Sequence, residues 1–178
     1  MKYKVFSNNH ETSGSTIMPY KDAINVDNFA GIFSRHGLGE IDPDAWYPMS
    51  KMVDIFNEMS EKSQMMDFVS LGMKMGEQLR LPPELANMSF LDLVRGLEDT
   101  YNYNNRGDDS GYIRGEIVSD NHVIIHYRCP YPDDLLYGSL YGYARRFLPN
   151  NAKFVVKYDE KAKRMEQGGR ETVIHVTW

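Results

Sequence analysis

From about residue 20 to residue 105 the apolar positions recur at spacings of three and four, and from residue 111 onward at a spacing of two. The first period is that of a helix with one buried face and the second that of a strand. Asp42-Pro43-Asp44 predicts a helix start, since Asp42 can cap and Pro43 suits the first helical position. Trp46, Met49, Val53, Phe56 and Ser60 follow on one face. A second helix is predicted over about 62–79, with Met65, Phe68, Leu71, Met75 and Leu79 on its stripe and Pro82-Pro83 as its stop. A third is predicted over about 88–102, with Phe90, Leu93, Val94 and Leu97 inward. The polar, small-residue stretch 7–16 reads as a mobile surface segment.

Arg106-Gly107-Asp108-Asp109-Ser110-Gly111 is rich in turn residues and breaks the pattern. Beyond it, 111–118 and 122–128 predict a hairpin closed by Ser119-Asp120-Asn121. Val123, Ile125 and Tyr127 take one face of its second strand; His122, Ile124, His126 and Arg128 take the other. Asp133-Asp134 suits a helix start, and Leu136, Leu140, Tyr143 and Phe147 are the expected inner stripe. Phe154, Val156 and Tyr158, then Thr172, Ile174, Val176 and Trp178, alternate in two further strands. The expected fold is a single α+β domain over 1–178: N-terminal helices in 20–105 packed on a four-stranded antiparallel sheet in 111–178, with one helix inserted between the strand pairs.

Composition narrows the function classes. The 178 residues carry a net charge of −5, so no basic excess points to nucleic acid. The single cysteine, Cys129, excludes an intrachain disulfide and a zinc ribbon. No apolar run of membrane-spanning length occurs, the N-terminus lacks a signal-peptide core, and the cytoplasm is the expected location. No assembled catalytic set is visible, so no enzyme is expected. Cys129 reads as a buried thiol, and Asp108-Asp109 and Asp133-Asp134 as turn and helix-start residues. His122, His126 and His175 have the chemistry of metal ligands, yet their neighbours Arg114, Arg128, Lys153 and Lys157 make the strand face read as solvated.

The motif Tyr127-Arg128-Cys129-Pro130-Tyr131-Pro132 stands before a helix containing Tyr137-Gly138-Ser139-Leu140-Tyr141-Gly142-Tyr143. A charged connection ending in Gly168-Gly169 and a closing strand follow. Over about residues 40–178 this order resembles the haem–nitric-oxide-binding (H-NOX) fold and the related 4-vinyl-reductase-like small-molecule-binding domains. The resemblance implies a sensor whose helices and sheet enclose a pocket. In H-NOX proteins a histidine holds the haem iron and a Tyr-x-Ser-x-Arg motif grips the propionates. The resemblance sets Glu98 at the histidine position and Tyr127, Cys129 and Tyr131 at the Tyr, Ser and Arg. Glutamate does not replace a neutral imidazole on haem iron, and loss of the Arg removes a bidentate carboxylate clamp. Haem is therefore not expected as a cofactor, and no metal site replaces it near the last hairpin, which has no cysteine.

The resemblance thus points to a haem-free sensor that binds a small apolar or amphipathic molecule and signals to a separate protein or to a second copy, as a homodimer. The alternatives are a gas sensor with another axial ligand, such as His36 or a tyrosine, and a ligand-free scaffold module. Seven methionines between 49 and 75 suit an adaptable apolar lining, and Gly72 and Gly76 let a helix or a ligand approach closely. The expected pocket residues are Trp46, Met49, Met73, Phe90, Val94, Tyr127 and Leu140.

Overall fold

The computed structural model describes residues 2–24, 29, 31–62, 65–78 and 87–178. The predicted helix stop at Leu79 and Pro82-Pro83, and the side chain of Met65, lie outside the described residues.

Strict alternation builds the larger sheet. Strand β5 (His122–Arg128) buries Val123, Ile125 and Tyr127 and leaves the intervening residues half-exposed. It pairs antiparallel with β4 (Tyr112–Ser119) on one side and with β7 (Thr172–Thr177) on the other. Strand β6 (Val155–Tyr158) adds to β7, giving the order β4-β5-β7-β6. Ile125 lies between Gly115 and Ile174, and Val123 between Ile117 and Val176, so one face is an apolar row. Helix α7 (Asp133–Phe147) connects β5 to β6 as predicted.

The buried face of α7 differs from the expected stripe. Leu135, Gly138, Ser139, Leu140, Gly142 and Ala144 are buried, whereas Leu136, Tyr143 and Phe147 are only partly so. The cause is α4 (Met65–Glu77), which lies against α7 through glycines on both helices. A Cβ on Gly72 would come within 2.0 Å of the Leu135 carbonyl oxygen, and one on Gly76 within 2.4 Å of that of Ser139. A Cβ on Gly138 would reach 2.1 Å from the Val69 carbonyl oxygen, and one on Gly142 2.4 Å from that of Met73. A stripe defined by large apolar residues cannot register a contact made by missing side chains. Gly72 and Gly76 thus serve a helix.

The segment 7–16, expected to be mobile, is ordered into structure. Strand β1 (Glu11–Ser13) pairs with β2 (Trp46–Pro48) and β3 (Asn105–Arg106) in a second, three-stranded sheet. Thr12 is fully buried there, with its hydroxyl donating to the Asn104 carbonyl. Strands of two or three residues are too short to show alternation. Helix α1 (Gly14–Ile24) and the short α2 (Ile32–Arg35) follow β1.

The helix expected from Asp42 starts instead at Met49: α3 spans Met49–Lys62. Asp42 does accept a backbone N–H, from Asp44 at 2.9 Å, but this closes a turn that delivers the chain into β2. The third predicted helix divides at Gly96 into α5 (Phe90–Arg95) and α6 (Leu97–Asn104). Ser89 and Asp92 form a reciprocal capping box at the start of α5.

Ion pairs at the periphery set the response to acid. Lys62, His36 and Arg35 converge on Glu58 and hold its carboxyl down at about 2. The His175 imidazole does the same for Asp159, also to about 2. Burial lowers the pKa of His10, which is 1% exposed. A depressed pKa stabilises the fold above the unfolded value, and that stability is lost as pH falls through the folded value. Asp133 has the opposite sign: burial raises its pKa, so its protonation relieves a cost. Six depressed groups (His10, Glu58, Asp92, Asp109, Asp159 and Glu171) against one raised carboxyl predict a urea midpoint that declines from about pH 6.5, the ordinary imidazole value, toward the pH of about 2 reached by Glu58 and Asp159. A midpoint that is flat or rises over that range would contradict these assignments.

Candidate functional site

The positions of the degenerate haem motif leave β5 and lead into the molecular interior. Tyr127 is 1% exposed; its hydroxyl donates to the Asp133 carboxylate at 3.1 Å. The same carboxylate oxygen accepts from Thr172 at 2.8 Å, and the Asp133 amide donates to Glu166 at 2.7 Å. Tyr127 therefore ties β5 to the start of α7 and to the connection before β7. Cys129 is buried, and desolvation pushes its thiol well above the ordinary range. A thiol reagent is expected to leave the native protein unmodified and to titrate one thiol after denaturation. Rapid native labelling would show a more open environment.

Tyr131 fills the position matched to the propionate-binding Arg. Its ring stacks on Tyr20 at 6.0 Å and tilts against Phe56 at 5.8 Å. Phe56 in turn makes edge contacts with Tyr20 at 5.9 Å and with Phe68 at 6.5 Å. Phe68 meets Tyr3 edge-on at 6.1 Å. The region between α1, α3, α4 and the end of β5 is thus occupied by a continuous aromatic cluster. Burial raises the Tyr20 and Tyr131 phenols above their ordinary value. Glu98, matched to the iron-binding histidine, is exposed in the first turn of α6.

These residues do not fit haem. The matched axial position is a surface carboxylate, and the matched clamp is a phenol in an aromatic stack. The nearest arginine in sequence, Arg128, is already engaged by Asp109 through two bonds of 2.7 and 2.8 Å and lies 3.9 Å over the Phe6 ring. Among the other imidazoles, His36 Nε2 is 2.8 Å from Glu58, and His10 Nε2 is 3.1 Å from Asn105. His10 Nδ1 has no hydrogen-bond partner among the described residues, a signal absent from the sequence pattern.

The seven expected pocket residues occupy several parts of the interior. Met49, Phe90, Val94, Tyr127 and Leu140 are buried, while Trp46 and Met73 are half-buried. Trp46 lies in the small sheet beneath the Arg106 guanidinium, 4.3 Å from its centroid. Phe90 packs edge-on against Trp178 at 5.4 Å, and Val94 covers Gly115. Met73 borders the glycine contact between α4 and α7. Neither of two surface concavities is lined by any of the seven. One, of about 340 Å³, lies over His122, Lys157, Asp159 and His175; the other, of about 310 Å³, lies between Tyr3, Val5, Ser50 and Val53.

The strand face with the histidines is half-exposed, and two of them meet. His122 Nε2 is 2.9 Å from His175 Nδ1, and His175 Nε2 is 3.0 Å from Asp159. His126 instead pairs with Glu171 at 3.1 Å. No group of three or more His, Cys, Asp or Glu side chains suited to a metal ion occurs among the described residues.

No family model and no curated protein matches the sequence. Solved structures do match the fold. A Cs H-NOX mutant carrying 4-cyano-L-phenylalanine superposes with a TM-score of 0.68 at 12% identity, covering 93% of this chain and 95% of that one. An H-NOX protein from S. oneidensis in the Fe(II)NO state gives 0.65 at 15% identity over 92% of this chain and 97% of that one. A structure described as giving insights into H-NOX activation gives 0.64 at 15% identity, over 92% of each chain. The fold is therefore α+β, with seven helices and antiparallel sheets of three and four strands among the described residues. It is the H-NOX fold, spanning nearly the whole chain.

Proposed function

We propose that this chain is a non-enzymatic sensor domain that uses the H-NOX fold without haem. The observation that carries this reading is Tyr131. At the position matched to the propionate clamp it offers no charge, and it is locked between Tyr20 and Phe56. The exposed Glu98 supports the same reading, because a surface carboxylate is no substitute for a buried imidazole. The signal would be a small apolar molecule, accepted by repacking the methionine-bearing helices α3 and α4 rather than by filling a standing cavity. Met49, Met52 and Met59 are buried there, and unbranched thioether chains repack at low cost. Binding would shift a population between two packings, by no more than the ligand's differential affinity. A separate protein would read that state. No described helix is long and apolar enough to cross a membrane.

Native mass spectrometry of the protein purified from its own host tests the reading. The expected spectrum contains the bare 20.6 kDa chain, or that chain with a small apolar adduct. A chain carrying one porphyrin would defeat it. A ligand-free module is the second reading, favoured because expected pocket residues pack into the core, Phe90 on Trp178 and Val94 on Gly115. It predicts no adduct under any growth condition.

A further inference from the structure

We propose that strand β4 is a docking edge for a second copy of this chain, the two β4 strands pairing antiparallel about a two-fold axis through Gly115. The inference is independent of ligand and cofactor. In the order β4-β5-β7-β6, β4 is hydrogen-bonded on one side only. Every residue from Arg114 to Ser119 is exposed, including Ile117 at 37% and Val118 at 49%.

The two edges of the sheet are built differently. Strand β6 has four residues and carries Lys157, both features that discourage edge pairing. Strand β4 has eight residues and contains neither lysine nor proline. Its irregularity falls between Ile117 and Ser119, at the hairpin end, and leaves Tyr112–Ile117 in regular register with β5. A long edge with unpaired N–H and C=O groups is a template for another strand.

Charge selects the partner and the register. A two-fold axis through an antiparallel strand pair sets one residue opposite its own copy. With Gly115 at the axis, Arg114 lies opposite Glu116 of the partner subunit, and Glu116 lies opposite Arg114 of the partner subunit. Ile113 then faces Ile117 of the partner subunit. Moving the axis by one residue sets Arg114 on its copy or Glu116 on its copy, and like charges directly opposite are destabilising. Moving it by two forfeits both ion pairs. Neither charge is committed to a short ion pair within the chain: Arg114 is 3.9 Å from Glu171, and Glu116 is 3.5 Å from His126. Gly115 is where α5 meets the strand. A Cβ there would lie 2.2 Å from a Val94 methyl, so α5 packs directly on the strand. The contact is short, so the dimer is a weak one that forms with concentration.

Sedimentation equilibrium of the full chain tests this. The wild type is expected to rise with concentration from 20.6 kDa toward twice that mass. Glu116→Arg gives two positive residues per edge and Arg114→Glu two negative ones, so each variant alone is expected to dimerise at least about tenfold more weakly. An equimolar mixture of the two opposes unlike charges and is expected to recover the dimer, as is the double variant R114E/E116R. Circular dichroism verifies that each variant folds, and the double variant serves if a single one does not. A wild type that stays monomeric at every concentration overturns the proposal. So does a dimer that survives in both single variants, or a mixture and a double variant that both stay monomeric.

Discussion

Alanine at Gly72 or Gly138 is expected to destabilise the protein by about 3 kcal/mol, near the upper end for an overpacked site. The sign is the informative part. In an exposed helix, glycine to alanine gains about 1 kcal/mol in helix propensity. Here the added methyl would lie 2.0 Å from the Leu135 carbonyl oxygen in one case and 2.1 Å from the Val69 carbonyl oxygen in the other. Both obstacles are backbone, which cannot swing aside as a side chain can. Relief therefore requires α4 and α7 to separate along their length, with loss of their contact and of the placement of α7 on the sheet. With a total stability of about 5–15 kcal/mol, one such change takes a large share. The two substitutions act on one interface, so their costs need not add. Urea titration followed by circular dichroism measures the effect; an unchanged or raised midpoint for either variant would show that the helices do not meet there.

Phe56→Ala is the second large effect. Phe56 is fully buried and touches Tyr20, Phe68 and Tyr131. Its truncation is expected to cost about 3–5 kcal/mol, through lost apolar burial and the hollow left behind. That hollow is lined by the rings of Tyr20, Phe68 and Tyr131, and cavities with apolar walls accept small apolar molecules. The proposed sensing mechanism makes a further demand. If the wild type must repack to admit a ligand, its apparent affinity is reduced by the fraction of the open packing. Phe56→Ala supplies the space in advance. It should therefore bind a probe such as benzene more tightly than the wild type, seen as a larger rise in unfolding temperature with added probe. Equal responses would mean that the wild type already holds an open site or that neither protein binds.

The sheet and α7 were legible in the sequence because alternation and capping act locally. Val123, Ile125 and Tyr127 announce their face by period alone, and Asp133-Asp134 marks the start of α7. What escaped was structure fixed by distant partners. Strand β1 has three residues and exists because β2 and β3 flank it. Asp42 marks a turn rather than a helix cap, so Trp46 stands in β2 and not in a helix. The buried face of α7 is not legible from apolar spacing because glycine carries no hydrophobic mark, and Gly138 and Gly142 are where α4 approaches. The expected pocket residues were legible as apolar and mostly buried. Which of them would touch one another depends on packing between α3, α4, α5 and the two sheets, and no periodicity encodes it.

The likeness to H-NOX structures and the unlike residues at the matched haem positions pull in different directions, and the difference is chemical. The fold is a scaffold that can be kept while its cofactor contacts are replaced. At the positions that the sequence resemblance matches to the imidazole and the guanidinium, this chain holds the exposed Glu98 and the stacked Tyr131.

Titration of the purified protein with haem, followed by absorbance in the reduced state with and without nitric oxide, tests this most directly. The account predicts only the broad spectrum of unbound haem, with no saturation at one equivalent and no protein-specific band on adding nitric oxide. A sharp Soret band that saturates at one haem per chain and shifts with nitric oxide would contradict it.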